Sequence, residues 1–177
     1  MTDTVPTGPG PNGAGPTGAG PGAGLSTVAV EAMRLQNGYA LAIDARDWEL
    51  FRTLFTPDVQ ADYPHAVFDG MDAWLGNFIP FHDTCAWTLH EITNHVVGED
   101  AQGIWAACYG WIRWTMKDRP GYINRSEVLF RDRLRQDGDG SWRIARRKLR
   151  QLSAHHQVPM PDGYTLLESV LDLADWT

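Results

Sequence analysis

Apolar residues recur at helical spacing from Ser26 to Ala45. Val30, Met33, Asn37, Leu41 and Asp44 follow one stripe of about 3.6-residue period, and Leu35, Tyr39, Ala42 and Ile43 follow a neighbouring one. A helix that is apolar around more than half its circumference is expected to be inserted between a sheet and a second layer. Trp48, Phe51, Leu54 and Phe55 predict a second, shorter helix, whose first-turn N–H groups the Asp47 carboxylate can cap. Thr56-Pro57-Asp58 reads as a stop, because a residue before proline is pushed out of the helical region. Val59–Tyr63 follows as a short strand. A third helix opens at Asp69-Gly70-Met71-Asp72, with Trp74, Phe78 and Phe81 on its apolar side and Pro80 limiting its length.

From Cys85 the period changes to two. Four strands are predicted, over 86–97, 104–116, 122–135 and 142–153, with hairpin turns at Gly98-Glu99-Asp100 and Asp137-Gly138-Asp139-Gly140 and a third connection at Lys117–Gly121. Three helices followed by an antiparallel meander is an α+β arrangement. On the second strand Ile104, Ala106, Cys108, Gly110, Ile112 and Trp114 point one way, and Trp105, Ala107, Tyr109, Trp111 and Arg113 the other. Both faces are apolar or aromatic, so both are expected to be covered, one by the helices and a pocket, the other by a partner subunit.

Composition bounds the rest. Thirteen of the first 24 residues are Gly or Pro, a stretch expected to be a disordered tail. It is followed by one domain over 25–156 and a C-terminal tail or lid over 157–177. The chain shows no secretory leader and no apolar run of the ~20 residues that span a bilayer, so a soluble cytoplasmic protein is expected. The net charge of −7 argues against nucleic acid as partner, since such binding rests on neutralising phosphates. The basic run Arg143–Arg150 is expected to be a solvated strand with salt bridges to the acidic excess. Cys85 and Cys108 are expected to be buried thiols. Adjacent His155 and His156 make a poor metal geometry, and no metal is expected. Eight tryptophans imply an aromatic-lined cavity or a large apolar interface.

The run Tyr39–Pro64 orders these signals into a pattern, Y-x4-D-x2-DW…LF-x-PDV-x2-DY, with Asp44 near the negative end of a helix where a carboxylate is mildly disfavoured. It resembles the opening of SnoaL-like proteins of the NTF2-like superfamily, in the branch of scytalone dehydratases and bacterial bile-acid dehydratases, and the resemblance extends from about Val28 to Arg150. It implies an α+β cone, a curved sheet wrapped around the N-terminal helices with a pocket inside, and cofactor-independent chemistry. His90 and His95 lie at odd spacing on one strand and face opposite sides unless a bulge intervenes. The resemblance selects His95 as the acid/base, because Asn94-His95-Val96-Val97-Gly98-Glu99 matches the place of a catalytic histidine. Asp44 would be its orienting partner, and Tyr39 and Tyr63 would hold a carbonyl or enolate oxygen. Trp48, Trp74, Phe78, Trp111 and Trp114 are candidates for the apolar wall, and His65 for its rim. Where the dehydratases carry a second histidine, the count reaches Arg125, a candidate anion or oxyanion contact.

These residues predict a lyase, isomerase or cyclase that moves a proton next to a carbonyl of a polycyclic, polyketide- or terpenoid-like small molecule. A homodimer or homotrimer through the open sheet face is expected. The competing possibility is a non-catalytic ligand-binding or small-subunit protein of the same fold, similar to the β subunits of ring-hydroxylating dioxygenases, with His95 structural. Epoxide opening by an Asp/Arg/Asp set would need a second aspartate, for which there is no convincing candidate.

Overall fold

The three helical patterns form α1 (Gly22–Ala45), α2 (Trp48–Leu54) and α3 (Met71–Thr84) in a computed structural model that describes residues 22–160. The strands are β1 (Phe55–Tyr63), β2 (Ala66–Asp69), β3 (Cys85–Asp100), β4 (Gly103–Met116), β5 (Tyr122–Gln136) and β6 (Trp142–Pro159). They make one six-stranded sheet in the order β2-β1-β6-β5-β4-β3. Every neighbouring pair is antiparallel except β1 and β6, which run parallel. The α+β architecture is as expected. The domain exceeds the expected 25–156 at both ends, since α1 begins at Gly22 and β6 continues to Pro159. The remainder of the expected tail and lid lies outside the described residues.

Of the two α1 stripes one faces the sheet along its length, and the other turns to it only at its last residue, Asp44. Leu35, Tyr39, Ala42 and Ile43 are buried, whereas Val30, Met33 and Leu41 are exposed. The buried stripe packs into a core with Phe51, Phe55 and Trp74 from α2, β1 and α3 and with Phe130 from β5. Asp47 caps α2 as expected, its Oδ1 accepting the Leu50 N–H at 2.8 Å.

Of the two prolines read as helix limits, one behaves as expected and one does not. The second helix stops before Pro57 as expected, ending at Leu54, and Pro57 itself lies inside β1, where pairing to β6 is irregular between Phe55 and Gln60, so no ladder hydrogen bond requires its missing N–H. Pro80 sits within α3, which runs on to Thr84. The carbonyl four residues before Pro80, which loses its partner, belongs to Gly76, an exposed residue. Strand β2 escapes the hydrophobic pattern because four residues are too few to show a period.

Two bulges re-aim side chains that strict alternation would misplace. In β3 the ladder to β4 steps from Thr93↔Tyr109 to Val96↔Ala107, one extra residue on β3, and Asn94 there has φ 57°. In β6 the pairing with β5 slips between Arg133↔Arg146 and Leu134↔Ile144, so that Ile144 and Arg147 both point into the core. Gly110 on β4 keeps the inner face close, since a Cβ there would lie 2.7 Å from the Phe130 ring. Among the described residues no element covers the outer face, where Tyr109 is 44% and Trp111 57% exposed. Among the described residues no helix is long and apolar enough to cross a membrane.

Candidate active site

The site starts where α1 ends. Asp47 N–H donates to the Ala42 carbonyl at 2.8 Å and Arg46 N–H to the Ile43 carbonyl at 3.0 Å, the paired bonds of a Schellman turn. The residue such a turn holds in the left-handed region is usually glycine, but here it is Arg46, at φ 60°. Its guanidinium curls back, Nη1 donating to the Ile43 carbonyl at 2.5 Å and to Thr88 Oγ1 at 2.8 Å. Burial pushes the Arg46 pKa down, while the neighbouring Cys85, Asp44 and Asp83 act against that. Thr88 in turn donates to Asp44 Oδ1 at 2.8 Å. The carboxylate placed unfavourably at a helix C-terminus is therefore held by donors from β3.

The remaining donors identify its partner. Asp44 Oδ2 accepts the backbone N–H of His90 at 2.7 Å, and Oδ1 lies 2.7 Å from His90 Nδ1. The side chains of His90 and Asp44 are 4% and 2% exposed. The expected pairing of Asp44 with His95 is corrected to Asp44 with His90. Thr88, His90 and Ile92 share the inner face of β3, and this parity in the sequence could have singled out His90. An ionised Asp44 keeps the proton on Nδ1, which leaves Nε2 of His90 with the lone pair.

His95 also faces α1, because the bulge at Asn94 restores its parity, but it meets another residue. Its Nδ1 lies 2.7 Å from Gln36 Oε1, two turns of α1 before Asp44, and it does not line the cavity. Gln36 Nε2 donates to Asp132 Oδ2 at 3.0 Å. Asp132 takes a bidentate pair from Arg147, with both N–O distances 2.8 Å. Arg147, expected on a solvated strand, is fully buried. Its guanidinium stacks 4.0 Å from the Tyr39 ring centroid. Burial alone would lower its pKa, but the Asp132 charge and hydrogen bonds outweigh that and raise it. This neutralised pair supports the underside of Tyr39.

A cavity of about 750 Å³ opens between the end of α1, α3 and the concave sheet. On one side the Tyr39 and Tyr63 hydroxyls are hydrogen-bonded at 3.1 Å. Both phenol pKa values are raised, chiefly by burial, so both remain neutral donors. The His90 ring stands edge-on to Tyr39, 5.9 Å between centroids. Phe78, Trp114 and His65 line the cavity as expected.

Four expectations are not met. Trp111 is on the outer sheet face. Arg125 is exposed opposite Arg113 on that same outer face, and the neighbouring Ser126 points inward. Trp74 is wholly buried against Phe51, Phe55 and Tyr63, and half-buried Trp48 lies behind the wall, edge-on to His82. Alternation along β5, with Asn124, Ser126, Val128 and Phe130 buried together, carried the signal against Arg125.

His82 and Gln151 also line the cavity without having been anticipated. His82 Nδ1 lies 2.7 Å from the Phe78 carbonyl, which accepts only a donated hydrogen, so the lone pair is on Nε2. Burial, with a smaller contribution from His90, lowers the His82 pKa to about 4. Asp62 faces away, bound to Lys148 at 2.8 Å. Among the described residues, no group of three or more His, Cys, Asp or Glu side chains could hold a metal ion.

Comparison with solved structures shows this fold in other proteins. A candidate scytalone dehydratase from Novosphingobium aromaticivorans DSM 12444 has TM-score 0.65 at 20% identity, over 81% of this chain and 99% of that one. The hexachlorocyclohexane dehydrochlorinase LinA-type3 from Novosphingobium barchaimii LL02 has TM-score 0.67 at 10% identity, over 80% and 95%. ActVI-ORFA from Streptomyces coelicolor has TM-score 0.55 at 15% identity, over 71% and 98%. No curated protein matches the chain. The SnoaL-like domain model matches residues 27–148, more than half the sequence. The chain thus belongs to the SnoaL-like domain family.

Proposed function

We propose that the protein is a cofactor-independent lyase or isomerase that moves a proton at a carbon next to a carbonyl. One observation carries this: a buried Asp44–His90 pair opens on an aromatic cavity beside two neutral, hydrogen-bonded phenols. His90 Nε2 takes the proton from carbon. Within the bonded Tyr39–Tyr63 pair one hydroxyl donates to the other, whose own hydrogen goes to the oxygen on which the enolate charge collects, and Asp44 stabilises the imidazolium that forms. For an elimination the C–H pair becomes the new C=C bond, the bond to a β-hydroxyl breaks, and His90 returns the proton to it so that water leaves. For an isomerisation the proton goes back to a different carbon. Structural relatives are named as a dehydratase and a dehydrochlorinase, both eliminations, which accords with this chemistry. The cavity volume and aromatic wall suit a polycyclic, polyketide- or terpenoid-like ligand.

The test is deuterium exchange into the carbon positions beside the carbonyl of 2-tetralone in D2O, followed by proton NMR. The wild-type protein is expected to accelerate exchange over buffer. His90→Ala and Asp44→Asn should each lose ~10²- to 10⁴-fold with the fold intact by circular dichroism, and His95→Ala should stay within a few-fold. Full exchange activity in His90→Ala would remove the assignment.

A further inference from the structure

The cavity lining contains no Lys, Arg, Asp or Glu among the described residues. The two guanidiniums behind it are already matched. Arg147 is bound to Asp132, and Arg46 reaches Asp44 through Thr88. Three imidazoles remain. Burial keeps His82 neutral, His90 has the Asp44 carboxylate beside it, and His65 is exposed to water, which screens any charge it takes up. Nor can the rest of the chain supply a side-chain cation, since 1–21 and 161–177 contain no Lys, Arg or His.

We infer, resting on the proton-transfer proposal above, that the site takes electrically neutral ring-bearing carbonyl compounds and refuses free acids and phosphate esters. An anion buried here would lose hydration with no cation to replace it. The chemistry has the same requirement: a neutral ligand and neutral His90 become an enolate and an imidazolium, so the pair stays balanced, whereas a ligand already carrying a negative charge would acquire a second. Hydrogen-bonding groups are nonetheless available for an uncharged molecule. The Tyr39–Tyr63 pair offers one hydroxyl hydrogen, the other being used between the two phenols. Gln151 gives its Nε2 hydrogen to Ser126 Oγ at 2.9 Å, and Ser126 is placed to donate to the Ser153 carbonyl at 2.9 Å, which leaves Gln151 Oε1 to accept from a ligand hydroxyl.

Isothermal titration calorimetry of the full chain at pH 7 with 2-naphthol and 2-naphthoate, two probes of one shape and different charge, tests this. Naphthol is expected to bind at least ~100-fold more tightly. Gln151→Lys, at an exposed lining position, should gain naphthoate affinity by ~10-fold or more. Equal binding of the two probes, tighter binding of naphthoate, binding of neither, or no gain in a folded Gln151→Lys variant would each overturn the inference. Binding is read without turnover. An inactive protein that still prefers naphthol therefore overturns only proton transfer, and an active one that binds both alike overturns only the neutrality of the ligand.

Discussion

At the residue scale, the most informative departure from ordinary preference is Arg46. A non-glycine residue in the left-handed region costs about 1–2 kcal/mol, and glycine is the usual occupant of this turn. Arg46 occupies it and in return anchors Thr88, which holds Asp44, which holds His90. Arg46→Gly relieves the backbone and loses the guanidinium bonds, so stability should remain within ~1 kcal/mol of wild type. The exchange rate on 2-tetralone should fall ~10-fold at unchanged KM, with partial recovery in Arg46→Lys. Loss of stability without a change in kcat would make Arg46 merely a helix stop. The residues themselves were only partly legible: Asp44, Tyr39 and Tyr63 are where the pattern put them, but Asp44 took the other histidine. Strict alternation cannot foresee an extra residue at Asn94, and with the bulge both histidines face α1.

At the element scale, α3 forms the wall opposite the sheet and carries His82 into it. His82 is packed among Trp48, Phe78 and Phe81, with its pKa lowered from 6.5 to about 4 by burial first and His90 second. The sign of the pH effect follows from this direction. Between those values the unfolded chain binds a proton that the folded protein refuses, so stability is full above pH 6.5 and declines as pH falls towards 4. The loss from this group is on the order of 3 kcal/mol. His82→Gln, which does not titrate, should flatten that part of the curve in urea titrations at pH 7, 5.5 and 4. An unchanged slope would show that His82 does not drive it. Element existence was readable because period 3.6 and period 2 are local properties; the endurance of α3 past Pro80 was not, because its last turn buries His82 against Trp48 from a distant segment.

At the scale of the whole molecule, the sheet has one face covered by the helices and one that no described element covers. Tyr109 and Trp111 stand exposed on the outside of β4, with Val96 exposed on neighbouring β3. Aromatic area of this kind on a sheet is commonly buried by association. The protein is predicted to form a homodimer or homotrimer in light scattering, and Trp111→Lys to shift it towards monomer without changing 2-tetralone exchange, because Trp111 lies outside the cavity. A monomeric wild-type protein would contradict this.

By itself the sequence determined the α+β class, the order of the helices and meander strands, the family, and a carboxylate with two phenols at one end of a helix. These follow from short-range periodicity and from a motif contained within Tyr39–Pro64. Alternation along β3 and β5 already pointed to His90 and away from Arg125, whereas tertiary structure alone decided that the bulge turns His95 onto Gln36, that Arg147 is buried beneath Tyr39, and that His82 completes the wall. Each of those depends on strand register, on a single-residue bulge, or on the packing of distant segments. A one-residue slip reverses every side chain beyond it, and nothing local in the chain records that slip.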